Sequence, residues 1–394
     1  MEPVQLAAVL AVLVVGASML SVELGISVAL LELALGVAAG NLFHLDAGDG
    51  WLVFVASFAS IVLTFLAGAE VDPDDFRERF GAAVSIGVVS FVGPFVVAAL
   101  VAYELLDWPL KAALIAGTAL STTSLAVVYA VLVETGLNRT RVGKLLMSAC
   151  FVTDLGTALA LSAIFVKPNA WFPLFLVVSV ALVVGLPKVA PWFFRRYGDR
   201  VIEPEIKLVF VCLFALMVCA DAAKGHAVLP AFVLGLVMSR HYREHRKEQE
   251  RLRVVAFAFL TPFFFVRGGM NVSLGAVGAN LGLLGVLLAA KMVPKLGLVL
   301  PLARRHVPEH ATFTTLLMST GLTFGTISSL YGLNAGIIDR TQFSLLVTVV
   351  VLSAIVPTAI AQRWFSPSVE VELKRGGADA AGPSPQPVAA GEPG

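Results

Sequence analysis

Apolar runs of about 20 residues, the length a helix needs to cross the hydrocarbon core of a bilayer, recur along this chain from residue 4 to residue 364. Such a pattern leaves few folds open. In lipid every backbone polar group must be satisfied internally, and a helix does this within one segment. Composition agrees: 58% of the 394 residues are hydrophobic and 14% are charged, whereas an ordinary soluble domain carries about a quarter charged residues. A net charge of +1 supplies no field suited to nucleic acid. Cys150, Cys212 and Cys219 fall inside apolar runs, without disulfide or metal-ligand spacing, and read as small buried hydrophobes. No cofactor is expected. Nor is an enzyme: paired carboxylates, a metal cluster and a nucleophile–base arrangement are all missing from the pattern.

The expected fold is an all-α polytopic membrane protein of about thirteen spans, near 4–21, 25–43, 51–69, 82–103, 110–133, 143–166, 171–193, 205–220, 225–239, 255–271, 277–303, 311–331 and 341–364. The first begins Met1-Glu2-Pro3-Val4 without the basic stretch of a signal peptide, so it reads as a retained helix. Of the 28 Lys and Arg, 20 fall in connections on one side, 4 on the other, and Lys188, Arg267, Lys291 and Lys295 lie within spans. Positive residues stay cytoplasmic, which places the N-terminus outside and the C-terminus inside a bacterial-type inner membrane. The mixed-charge stretch Arg240–Arg253 then reads as a cytoplasmic loop. Residues 1–365 form one transmembrane domain. The Gly-, Ala- and Pro-rich residues 366–394 have too little apolar surface to order and read as a disordered cytoplasmic tail.

Two halves, about 25–166 and 225–365, match at an offset of 200 residues. Gly25-Ile26-Ser27-Val28 lies against Gly225-His226-Ala227-Val228, Leu66-Ala67-Gly68-Ala69 against Val266-Arg267-Gly268-Gly269, and Pro94 against Pro294. Ser121-Thr122-Thr123-Ser124 lies against Thr320-Gly321-Leu322-Thr323 at nearly the same offset. The offset equals seven spans, an odd number, so paired helices cross in opposite directions. Inverted repeats of this kind build secondary transporters, with ion sites near the midplane between the repeats.

Asp154, midway along the sixth span, is the strongest chemical signal. A carboxylate at that depth costs several kcal/mol, by common estimates on the order of 3, unless it is hydrated, paired or protonated. It can hold a proton or a metal cation but not both comfortably, and that competition is all a one-site antiporter needs. Ser121, Thr122 and Thr123 in the fifth span and Thr320, Thr323 and Thr326 in the twelfth bring hydroxyls and glycines that replace lost backbone hydrogen bonds, so both helices can unwind there. Opposed half-helix ends would then set partial charges beside the site, and carbonyls and hydroxyls are hard oxygen ligands suited to sodium or potassium. Lys291 and Lys295 lie four apart on one helix face and either find an oxygen partner or snorkel. Arg267 binds helix-end carbonyls or a loop carboxylate, in a structural role. Glu70, Asp72, Asp74 and Asp75 form either a solvated helix end or a funnel that attracts cations. Glu32 faces a dimer interface or a cavity.

Five stretches carry a family resemblance: Leu66-Ala67-Gly68-Ala69-Glu70, Ala119-Leu120-Ser121-Thr122-Thr123-Ser124, Phe151-Val152-Thr153-Asp154, Phe263-Phe264-Phe265-Val266-Arg267-Gly268-Gly269-Met270 and Lys295-Leu296-Gly297. With them, residues 4 to 365 resemble the transmembrane domain of the Kef-type and NapA-type cation:proton antiporters. The resemblance implies thirteen helices, a homodimer, crossed broken helices 5 and 12 and elevator-like alternating access. It maps the essential ion-binding aspartate onto Asp154 and the family's helix-11 lysine onto Lys295 rather than Lys291. Thr153 departs from the pattern. Electrogenic members have a second aspartate there, while Kef-type systems commonly have glutamine and carry a cytoplasmic nucleotide-binding domain. A single carboxylate implies electroneutral one-to-one exchange.

The expected mechanism has protons and Na+ or K+ competing for Asp154 in alternately exposed states. Lys295 tunes its affinity, and Thr123, Thr153 and Thr323 supply neutral oxygens. The competing readings are a cation channel, which would pass cations without a countermoving proton, and a sodium-coupled organic-anion symporter of related architecture.

Overall fold

The computed structural model describes residues 2–24, 27–71, 73–135, 137, 140–165, 169–198, 200–223, 225–365 and 367. The expected tail 366–394 apart from Pro367, Asp72, and Gly25-Ile26 of the first repeat match lie outside the described residues. Within them every regular element is helical: α1 (Pro3–Leu24), α2 (Val28–Leu42), α3 (Gly50–Ala69), α4 (Pro73–Glu78), α5 (Phe80–Leu100), α6 (Leu110–Ser121), α7 (Leu125–Glu134), α8 (Arg141–Phe165), α9 (Phe172–Tyr197), α10 (Pro204–Ala222), α11 (Val228–Glu244), α12 (Arg246–Val255), α13 (Thr261–Met270), α14 (Leu274–Ala279), α15 (Leu281–Pro294), α16 (Leu300–His306), α17 (Ala311–Met318), α18 (Thr323–Asn334) and α19 (Arg340–Trp364). Among the described residues, eight helical runs are long and apolar enough to cross a membrane, and the other expected spans fall on shorter or broken helices or, for 205–220, on the 19-residue α10, which carries Glu205, Lys207 and Asp221.

Local chemistry explains where several elements start and bend. Asp49 caps α3 by accepting from the Trp51 amide, and Asp339 with Gln342 forms a reciprocal capping box at α19. Of three wide π-helical turns, Val101–Leu105 extends α5, Ala256–Leu260 joins α12 to α13, and Lys295–Val299 joins α15 to α16. Such bulges re-aim side chains within a helix; the third begins at Lys295, directly after Pro294.

The stretch Arg240–Arg253 is not a loop. α11 runs to Glu244, only His245 interrupts, and α12 continues through the π turn into α13 as one 25-residue run. Charged residues expected in a connection are paired: Arg243 with Asp74 of α4, His241 with Glu248 of the same stretch, and Arg253 with Glu70 after α3.

Two glycine crossings hold the repeats together. A Cβ at Gly36 of α2 would run into the Val266 carbonyl oxygen of α13, and one at Gly269 into that of Leu33. A Cβ at Gly235 of α11 would run into the Phe65 carbonyl oxygen of α3, and one at Gly68 into that of Phe232. Each residue of the first crossing has its counterpart in the second at an offset of 200 to within one residue. The sequence repeat is therefore a repeat of contacts, at the backbone-to-backbone approach that small residues allow in membranes. α3 and α8 are mostly buried inside this assembly, while α1 and α9 leave most of their apolar surface uncovered.

Candidate functional site

Both expected breaks are present. α6 ends at Ser121, Thr122 takes an extended conformation (ψ 153°), and α7 starts at Leu125. α17 ends at Met318, and α18 starts at Thr323 after Leu322 leaves helical geometry (φ −152°, ψ −75°). At a break, the carbonyls ending one half-helix and the amides opening the next lose their partners. Side chains take up several of these groups: Ser121 Oγ donates to Thr118, Thr122 Oγ1 to Ala119 and Thr320 Oγ1 to Leu317, each to a backbone carbonyl three residues earlier.

Lys295 ties the two breaks together. Its Nζ is fully buried and lies 2.8 Å from the Met318 carbonyl, 3.1 Å from the Thr122 carbonyl, 2.9 Å from Thr123 Oγ1 and 3.0 Å from Ser90 Oγ. Thr123 Oγ1 donates to the same Met318 carbonyl at 2.9 Å. The ammonium thus sits where the C-terminal ends of α6 and α17 converge. Each such end carries roughly half a negative charge. None of its four partners is Asp154.

Asp154 takes the other side of the crossing. It is 2% exposed, and its Oδ1 has no hydrogen-bond partner among the described residues. It lines a cavity of about 300 Å³ together with Thr123, Leu125, Thr323 and Phe324, the residues that lead into α7 and α18. Helix N-termini carry the positive half of the dipole and favour an anion. The crossing is therefore charge-complementary: a cation at two C-terminal ends, a carboxyl beside two N-terminal starts.

The other candidates divide. Thr153 Oγ1 donates to the Cys150 carbonyl of its own helix at 2.7 Å, and Thr153 is not among the residues lining the cavity. Thr326 Oγ1 is buried, with no hydrogen-bond partner among the described residues. Lys291 is fully buried, and its Nζ has no hydrogen-bond partner among the described residues. It lies against the break, where a Cβ on Gly321 would meet it. It does not snorkel. Arg267 stands away from the crossing, with Nε donating to the Ala47 carbonyl at 3.0 Å and Nη2 to Asn334 Oδ1 at 3.2 Å. It fastens a loop to the end of α18 and meets no carboxylate among the described residues there. Glu32 is 1% exposed with Oε2 unpartnered among the described residues, and is not among the residues lining the Asp154 cavity.

Glu70, at the C-terminal end of α3, is partly buried. Its Oε1 lies 2.9 Å from Arg253 Nη2, and it lines the Asp154 cavity. Burial holds its carboxyl above the usual range, with the Arg253 guanidinium working the other way. Sequence reasoning misses Arg253 and Ser90. Arg253 falls within the stretch expected to be a loop. Ser90 has one usable signal: it lies one turn before Pro94, whose repeat partner, Pro294, adjoins Lys295.

All-helical architecture, paired repeats and a buried carboxyl between two broken helices define a secondary transporter of ions. Residues 8–365 match the family described as sodium/hydrogen exchanger, transmembrane, and the chain belongs to that family. Over 323 residues it is 24% identical to "Probable Na(+)/H(+) antiporter 3" of Methanocaldococcus jannaschii, covering 79% of this chain and 82% of that one. It is 25% identical over 338 residues to "Cation/H(+) antiporter 18" of Arabidopsis thaliana, covering 80% of this chain but spanning only 41% of that relative's length. The solved sodium proton antiporter MjNhaP1 of Methanocaldococcus jannaschii superposes with a TM-score of 0.69 at 14% identity, covering 92% of this chain and 98% of that one, which establishes the shared fold.

Proposed function

We propose that this chain is a secondary active antiporter exchanging a monovalent cation, Na+ or K+, for H+ at Asp154, one for one and without net charge movement, by elevator-like alternating access. The observation that carries this reading is the Asp154 carboxyl: buried, with Oδ1 unpartnered among the described residues, at the crossing of two helix breaks and on the wall of a cavity. A proton satisfies such a group, and so does a desolvated cation completed by neutral oxygens. Thr123 and Thr323 line the same cavity and are the nearest candidates. Thr153 is a weaker one, its hydroxyl hydrogen being directed along α8.

Lys295 acts in this scheme as a structural cation. It keeps two half-helix ends together while its field reaches Asp154 through Thr123, which touches both the lysine and the cavity. The basic residues around Arg243, Arg246 and Arg253 make their face the cytoplasmic one by the positive-inside rule, so the Asp154 cavity opens inward. A homodimer would cover part of the apolar surface left on α1 and α9.

The test is dequenching of a pH dye in proteoliposomes on addition of Na+ or K+, with Asp154→Asn as control and a potential-sensitive dye alongside. We expect cation-dependent proton movement that disappears in the variant and generates no potential. Proton movement that survives the substitution would remove Asp154 from the mechanism. A potential generated by exchange would overturn electroneutrality, and cation flux with no proton movement would return the channel reading.

A further inference from the structure

Three residues sit in two cavities at once. Glu70, Tyr129 and Arg253 line the roughly 300 Å³ chamber that reaches Asp154, and the same three line a second cavity of about 260 Å³ whose other walls include Arg243, Arg246, Gln249 and Glu250. The first is the binding chamber and the second a charged vestibule, with the three side chains between them.

They come from three separate elements. Glu70 follows α3, Arg253 ends the charged part of α12, and Tyr129 stands on α7, the half-helix whose start lies beside Asp154. The Arg253 guanidinium pairs with Glu70 at 2.9 Å and also lies 5.8 Å from the centroid of the Tyr129 ring, within cation–π range. Gln249, one turn before Arg253, donates to the Ala69 carbonyl and holds α12 against the end of α3.

A fixed positive charge on the way to a cation site needs an account. A guanidinium does not lose its proton in a protein, so Arg253 raises the local potential unless a carboxylate offsets it. Glu70 offsets it, and a cation that approaches Glu70 competes with Arg253 for the same oxygen. The Tyr129 face gives Arg253 a second place to rest, so it can leave the carboxylate without being stranded.

We propose that Glu70 and Arg253, with Tyr129 as the alternate seat, form a charge-exchange gate on the cytoplasmic side. The incoming monovalent cation replaces Arg253 on Glu70 before it reaches Asp154, and Arg253 returns behind it. The pair sets how readily the cation is captured from that side and leaves the exchange step itself to Asp154. This inference rests on the antiporter reading above.

The test uses the full chain in right-side-out and everted membrane vesicles, reading the KM for Na+ and K+ and the kcat from each side. Glu70→Gln leaves an uncompensated guanidinium at the gate and should raise the cytoplasmic-side KM on the order of tenfold, as expected for one unit charge about 10 Å away at an effective dielectric near 20. The opposite-side KM should change less than twofold. Arg253→Gln should lower the cytoplasmic-side KM, and the double variant should return it to within about threefold of wild type. Arg253→Lys, which keeps the charge, should behave as wild type in sign. Correct folding is checked for each variant by its thermal transition in detergent. Equal shifts on both sides, or a double variant no better than Glu70→Gln, would overturn the gate. Absence of cation-dependent proton movement in the wild-type protein would instead overturn the antiporter reading.

Discussion

Lys295 holds four oxygens, from Met318, Thr122, Thr123 and Ser90, and two of them are backbone carbonyls free to accept only because two helices stop there. The side-chain amide of Lys295→Gln donates at most two hydrogen bonds to these oxygens and brings no charge to the helix ends. We expect it to destabilise the protein by roughly 3 kcal/mol, the scale of two hydrogen bonds to a charged group in a buried setting. A markedly lower thermal transition in detergent, together with a shifted pH profile of exchange, would bear this out. A shifted pH profile at unchanged stability would mean that the lysine acts on Asp154 rather than on the helix ends. Lys295 and Asp154 are both legible in the sequence, because an ionisable residue inside a span is costly and therefore has a reason to be there. Whom each one meets is not legible: Lys295 reads naturally as a partner for Asp154, yet its hydrogen bonds go elsewhere. Arg253 and Ser90 stay illegible for the opposite reason. Neither is unusual in its local sequence, and their partners lie 183 and 205 positions away.

Elements are easier to find than their interruptions. Apart from the run that opens at Arg246 rather than at 255, the long apolar runs mark the helices to within a few residues, and the hydroxyl- and glycine-rich stretches at 121–124 and 320–326 mark the two breaks. The charged run at 240–253 misleads, since hydrophilic sequence between apolar runs looks like a loop when ion pairs to distant helix ends are not visible. Glycines at the crossings are visible as letters, but their tightness is not. Gly235→Ala tests it directly. The added methyl meets the Phe65 backbone carbonyl, which no rotamer change can move aside, so α11 and α3 must separate. Overpacking of this kind costs about 1–3 kcal/mol, and a fall of that size in stability in detergent is the expected outcome. Gly185→Ala, on the open face of α9 with nothing within 4 Å of the new methyl, should leave stability unchanged in the same assay.

At the scale of the whole molecule, repeat symmetry relates the two faces of the protein. A cavity of about 410 Å³ on the face bearing Asn334 is lined by Ser57, Ser60, His226, Ile327 and Tyr331 and does not include Asp154. The cavity that does include Asp154 lies toward the basic face. In the alternating access proposed above, these roles exchange. Ile327 is 3% exposed in this state. An Ile327→Cys protein lacking Cys150, Cys212 and Cys219 should therefore react several-fold faster with an impermeant maleimide, applied to the Asn334 face, while exchange is driven by a cation gradient. An unchanged rate would mean that the two cavities do not alternate.

The ammonium that joins the two helix breaks also bears on how the chain is made. Thr122 and Thr123 leave the ribosome long before Lys295, and Met318 follows later still. Until then the first broken helix sits in the bilayer with the end of α6 uncapped, held only by its hydroxyls. On this geometry the first half is expected not to mature as an independent unit, its completion waiting on the second. Expression of residues 1–200 alone should yield a membrane-inserted but protease-sensitive fragment, and co-expression of the remainder should rescue it.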